Sequence, residues 1–189
     1  MECYHGVLSF DNTVNGQITV NGEAIDMTGG RSYIEKDWGA SMPETWIWMQ
    51  TNHFAAPNVS LFGSIAKIPW LGSSFTGFIF GFYYQQRVYQ FATYTGAKIH
   101  RLEATETHLH IEIEDINHQL SVEAVREKGV DLPAPKQGQM TSKVNESLRS
   151  VIQVELRDRS TGQTIFHGAG RNAGLEFVGH TADILAGLR

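Results

Sequence analysis

The sequence predicts an all-β protein, a single antiparallel β-barrel of about ten strands with minimal helix. Apolar and polar residues alternate with a period of two along most of the chain, the pattern of strands with one buried face. Gly, Asn, Asp and Pro fall between many of the alternating runs, where tight turns need them. Repeated strand–helix units, which would signal a parallel α/β sheet, are missing. A barrel is preferred to a sandwich because several runs set large apolar or aromatic residues on one face and small or polar ones on the other, as strands around one shared interior do.

The first strand pair is read at 16–26, where alternation runs on both sides of Asn21-Gly22, a dipeptide that tolerates the positive φ of a hairpin turn. Further strands are read at 45–54, 59–68, 75–84, 88–94, 99–106, 108–116, 120–125, 151–158, 164–168 and 175–178. Arg159-Ser-Thr-Gly-Gln163 is a clear turn between two of them. A weak helical character is expected at 141–149, after a mobile loop at Asp131-Leu-Pro-Ala-Pro135, whose prolines break regular structure.

A length of 189 residues suits one domain able to bury a core without staples. The single cysteine, Cys3, excludes an internal disulfide framework and a cysteine-rich zinc module. A net charge of −5 with no basic run argues against nucleic acid as a partner. No export signal is read at the acidic N-terminus, so a cytoplasmic location is expected, with at most peripheral association with a membrane. Ten Phe, six Tyr and four Trp are enough to line a cavity as well as fill a core.

Two neighbouring segments carry the chemistry. As a strand, 33–38 sets Tyr33, Glu35 and Asp37 on one face and Ile34, Lys36 and Trp38 on the other. Two carboxylates directed into one cavity cannot both ionise cheaply, so one becomes a general acid; facing solvent, the same pattern is only an acidic stripe. Glu35 is the expected acid, because Asp37 sits near Gly39 and the following turn. Lys36, on the opposite face, is not expected to pair with either acid, which leaves Arg31 or another strand. Downstream, Trp46, Trp48, Gln50 and Asn52 share a face, joining π surfaces to amides as in the wall of a pocket for a largely apolar ligand. Two core tryptophans bonded to the amides would give the same pattern.

The run Gly30-x-x-Tyr33-x-Glu35-Lys36-Asp37-Trp38-Gly39, followed by Pro43, Trp46-Ile-Trp48, Gln50 and Asn52 and preceded by Glu2-Cys-Tyr-His-Gly6, resembles the tocopherol cyclase family. That resemblance implies a lipocalin-like barrel around an apolar pocket and, in the plant members, closure of a chromanol ring on a prenylated hydroquinone. Carotenoid hydratases are similar at greater distance; they also protonate an isoprenoid double bond, and their Tyr-x-acid pattern matches Tyr33 and Glu35. The expected function is therefore acid-catalysed cyclisation or hydration of an isoprenoid substrate. Glu35 or Asp37 would donate the proton, Tyr33 and His5 would be hydrogen-bonding partners, and Trp46, Trp48, Gln50, Asn52 and Trp38 would contact ligand. The alternative is a non-catalytic carrier of an apolar small molecule. Family members are longer, and the first residues read as an interior stretch, so the chain is expected to be the second half of a two-barrel protein or to start natively short.

No cofactor is required by such chemistry. His108-Leu-His110, with His100 and His118, lacks a fixed third ligand, and no metal is expected. Gly168-Ala-Gly-Arg-Asn-Ala173 fits a dinucleotide fingerprint but runs into a strand, so no helix N-terminus receives a pyrophosphate.

Overall fold

The computed structural model describes residues 3–188. Fifteen strands follow one another: β1 (Cys3–Val14), β2 (Gln17–Val20), β3 (Glu23–Asp26), β4 (Gly30–Gly39), β5 (Trp46–Thr51), β6 (His53–Phe54), β7 (Val59–Trp70), β8 (Ser73–Tyr84), β9 (Arg87–Ala92), β10 (Lys98–Ala104), β11 (His108–Glu114), β12 (His118–Val125), β13 (Val130–Lys136), β14 (Gln139–Asp158) and β15 (Thr164–Val178). A 3-10 turn at Thr93–Thr95 and one short helix, α1 (Thr181–Ala186), complete the described chain.

Eleven strands form one antiparallel sheet in the order β10-β11-β12-β14-β15-β5-β7-β8-β9, with β13 added beside β14 and β6 beside β15. β1 and β4 form a second sheet of two strands, and β2 and β3 a third. The large sheet curls until Tyr89 of β9 meets the His118 ring of β12 edge-on, with ring centroids 5.0 Å apart. Its two ends, β9 and β10, do not pair. The closed barrel expected from alternation is therefore absent. Period two records that one face of a strand is buried, and that holds for a closed barrel and for a curled open sheet alike.

Two further expectations fail for local reasons. The stretch 131–135 is no mobile loop but part of β13, which pairs only with β14. Pro133 and Pro135 lack an N–H, which an edge strand tolerates and a central strand does not. Residues 141–149, expected to be helical, belong to the 20-residue β14. Register shifts at Ser147/Ser150 and Ser150/Ile152 leave Val144, Ser147 and Ser150 buried at every third position, so the bulges imitate a helical period.

The inner face of the large sheet is a filled core. Ile47, Met49, Leu61, Phe80, Phe82 and Phe91 are fully buried there beside Ile111, Leu120 and Val154 from the other end of the sheet, and Ile184 of α1 joins them. The two-stranded β1–β4 sheet lies against the opposite, outer face. Phe10 of β1 sits on Gly81 of β8, where a Cβ would fall 2.4 Å from its ring. His5 and Tyr33 pack on Phe62 of β7.

Candidate active site

Between the β1–β4 sheet and the outer faces of β5, β7 and β8 lies a cavity of about 650 Å³, closed on another side by Leu132–Pro135 of β13 and Val144 of β14. The expected pocket inside a barrel is thus displaced. The interior is packed solid, and the cavity occupies the other side of the same strands. Its space comes from side-chain size, since Ser64, Ala66 and Gly77 stand on the outer face where the inner face carries isoleucine and phenylalanine.

The register of β1 on β4 sets His5 opposite Asp37 and Val7 opposite Glu35. Tyr33 donates from its hydroxyl to Glu35 Oε2 at 2.6 Å, and the Trp48 indole N–H donates to Glu35 Oε1 at 2.9 Å. His5 Nδ1 lies 2.9 Å from Asp37 Oδ1, while its Nε2 lies 3.5 Å from Glu35 Oε1 and makes no hydrogen bond. Trp48 can lie flat here because residue 174 is glycine; a Cβ at that position would stand 2.7 Å from the indole.

Burial pushes the Glu35 carboxyl above its usual range, although the bonds from Tyr33 and Trp48 and the neighbouring His5 favour the anion. For His5, burial opposes the charge, but the hydrogen bond and charge of Asp37, with Glu35 nearby, carry the imidazole above its usual value. Burial also raises the Tyr33 phenol, which stays a donor, and the Cys3 thiol, which is thereby a poor nucleophile.

A second acid faces the same space. Trp46 donates from its indole to Glu176 Oε2 of β15 at 2.6 Å. Burial, partly countered by that bond, then the charges of Glu146, Asp37 and Glu35, push Glu176 up to about 7. Sequence reasoning passed over Glu176. The available signal was one acid inside the apolar run Leu175-Glu-Phe-Val178, where a strand with a buried face rarely keeps a charge.

Of the residues singled out from sequence, the structure brings His5, Glu35, Asp37, Trp46 and Trp48 to the cavity wall, with Tyr33 behind Glu35. Gln50 shares the face of the tryptophans and Asn52 stands in the break between β5 and β6, and neither lines the cavity. Trp38 is half exposed on the far side of β4, stacked on Tyr4 with Lys36 over its ring, as alternation requires. Arg31 pairs with Asp11 and leaves both acids to His5. His100 pairs with Glu114, and His110 lies near Glu112 and Glu123. His108 meets Thr107 and His118 lies near Asp115, so the four histidines do not converge.

Ligand atoms of His5, Glu35 and Asp37 do lie within 4.8 Å of one another, close enough for a cation. Both Glu35 oxygens already accept hydrogen bonds, and His5 Nδ1 is spent on Asp37, so these groups suit proton exchange better than coordination.

The site is thus an all-β scaffold with a mostly apolar cavity and two partly buried, indole-bonded carboxyls. Residues 4–179 match the tocopherol cyclase-like family, and the chain belongs to it. It is 32% identical over 139 residues to a probable chloroplastic tocopherol cyclase of Oryza sativa subsp. japonica, a match covering 70% of this chain and 28% of that protein. To the chloroplastic tocopherol cyclase of Zea mays it is 35% identical over 86 residues, covering 43% of this chain and 18% of that protein. The crystal structure of kievitone hydratase from Nectria haematococca superimposes with a TM-score of 0.48 at 17% identity, covering 96% of this chain and 54% of that chain. Among the described residues no helix is long and apolar enough to cross a membrane.

Proposed function

We propose that the protein catalyses acid-promoted addition of a hydroxyl to an isoprenoid double bond, closing a ring on a prenylated hydroquinone or adding water. Glu35 is the proton donor. The observation that carries this reading is its environment: burial favours the protonated carboxyl, and the donors Tyr33 and Trp48 are placed to stabilise the anion left after delivery. His5, held by Asp37 and 3.5 Å from Glu35, reloads it. The indole faces of Trp46 and Trp48 stabilise the tertiary cation, and the apolar walls keep water from quenching it.

Peripheral association with a membrane belongs to the same proposal. Trp70 and Leu71 form the exposed β7–β8 turn beside Pro69 and Phe75 of the cavity wall, and Tyr94 on that wall is exposed as well. A substrate dissolved in lipid would enter from there.

The decisive experiment is Glu35→Gln assayed with a prenylated hydroquinone. Ring closure should fall by about 10²–10⁴-fold while ligand binding is kept, because the amide preserves shape and cannot deliver the proton. Undiminished turnover would transfer the role to Asp37. Tight binding with no turnover by the unaltered protein would favour the carrier reading.

A further inference from the structure

We infer that Glu176 is the residue that binds the substrate's attacking hydroxyl and takes its proton, so that the cavity holds a divided pair of carboxyls, one serving carbon and the other oxygen. The inference rests on the proton-transfer reading above. It begins with stoichiometry. Addition of O–H across a double bond moves two protons, one onto carbon and one off oxygen, and a separate acceptor beside the hydroxyl lets the second leave while the first is being delivered.

The two acids are held differently. Glu35 accepts a bond on each oxygen, from Tyr33 and Trp48, an arrangement that steadies the anion formed by donation. Glu176 is anchored through Oε2 alone, and its Oε1 has no hydrogen-bond partner among the described residues while the side chain lines the cavity. That oxygen is the one available to receive a ligand hydroxyl. The anchoring indoles come from one strand face, Trp46 and Trp48, which sets the two carboxyls side by side along the wall. The carboxyl also suits an acceptor in its titration, since a group titrating at about 7 is about half ionised at neutral pH and can both take a proton and release it.

The balance closes without any co-reactant. The Glu35 O–H bond breaks, the alkene π pair forms the new C–H bond, and a tertiary cation remains. A lone pair of the hydroxyl oxygen forms the C–O bond, and its proton passes to Glu176 Oε1. The proton returns to Glu35 through solvent and His5 after product leaves, so substrate and ring-closed product are isomers.

Two readouts test this. The first needs no turnover: binding of a hydroquinone bearing a saturated geranyl-length chain is compared with binding of its methyl ether at the hydroxyl beside the chain. The unaltered protein should prefer the free hydroxyl by about tenfold, a hydrogen bond to a charged group. Glu176→Gln should reduce that preference to about threefold or less, and Glu35→Gln should keep it. The second uses geranylhydroquinone in D₂O. Glu176→Gln should lose at least about 100-fold in ring closure yet still place deuterium on the chain of recovered substrate, whereas Glu35→Gln should lose both. Binding of the saturated ligand reports that each variant is folded, and Glu176→Asp, one methylene short of the hydroxyl, should give the same pattern more mildly. An unchanged hydroxyl preference or unimpaired ring closure in Glu176→Gln overturns the inference while leaving Glu35 as donor. If the unaltered protein closes no ring but the preference disappears in Glu176→Gln alone, the hydroxyl site stands and the cyclase reading falls.

Discussion

The two faces of the large sheet are built from alternate residues of the same strands and have opposite fates. On β5, Ile47 and Met49 point to the inner face and are fully buried in a solid core, while Trp46 and Trp48 point outward and border a void. On β8, Phe78, Phe80 and Phe82 fill the interior, while outside Gly77 and Ile79 border the cavity and Gly81 takes the ring of Phe10. The inner face is filled because the curl brings strands from both ends of the sheet together over it. The outer face is covered by a small sheet that rests on Phe62 and, through Phe10, on Gly81, with β13 and β14 closing another side of the cavity. The difference teaches that desolvation, which raises acids such as Glu35 and Glu176, needs apolar walls rather than a deep interior.

The comparison is broken most severely at two adjacent residues of β8. Phe80→Ala empties part of the inner core and should cost about 3–5 kcal/mol of stability, whereas Ile79→Ala, on the cavity wall, should cost less than about 1.5 kcal/mol because the half-buried side chain already borders empty space. Chemical denaturation of both variants measures the gap. Equal losses would mean that the outer face is packed as tightly as the inner one.

Alternation was enough to assign residues to faces. It separated Trp46 and Trp48 from Ile47 and Met49, set Tyr33 and Glu35 together, and found the β2–β3 hairpin at Asn21-Gly22. It could not say which face would be emptied, because that depends on how far the sheet curls and what lies over it. β1 went unread because register shifts at Val7/Ser9 and Ser9/Asn12 interrupt its period. The reading of 164–168 and 175–178 as two strands failed likewise, since β15 runs unbroken through Gly168–Ala173, the false dinucleotide fingerprint. Glu176 stood out only as an acid in an apolar run, and its place beside Glu35 was hidden because its partner, Trp46, lies 130 positions away.

A pH titration of stability sharpens the contrast, since the raised acids all lie on the outer side. A carboxyl raised from 4.5 to about 7 contributes stability that is complete below the lower value and is lost as pH rises through the upper one. For Glu176 alone the loss between pH 4.5 and 8 should approach about 3 kcal/mol, and His5, also raised, adds to the decline at the upper end. Asp158, lowered to about 2 by its bonds to Ser160 and Thr161, titrates below this window. Glu176→Gln should flatten the curve, whereas Phe80→Ala should lower it evenly. A parallel curve for Glu176→Gln would show that this carboxyl is not desolvated.

The smallest effect is expected at the rim of the cavity, where two turns of similar geometry can be set against each other. The β2–β3 turn places Asn21 at φ 51° and Gly22 at φ 87°, residues suited to the left-handed region. The β7–β8 turn places Leu71 at φ 47° and Gly72 at φ 79°, and Leu71 is 90% exposed. A leucine there is disfavoured twice, by its backbone conformation and by its contact with water. Insertion of that side chain into a lipid interface would offset the second cost. Leu71→Asn should therefore raise stability by about 0.5–1 kcal/mol and at the same time weaken partition into phosphatidylcholine vesicles by about tenfold, with turnover of a water-dispersed substrate unchanged. Stability rising with no loss of vesicle binding would leave the turn without a role at a membrane.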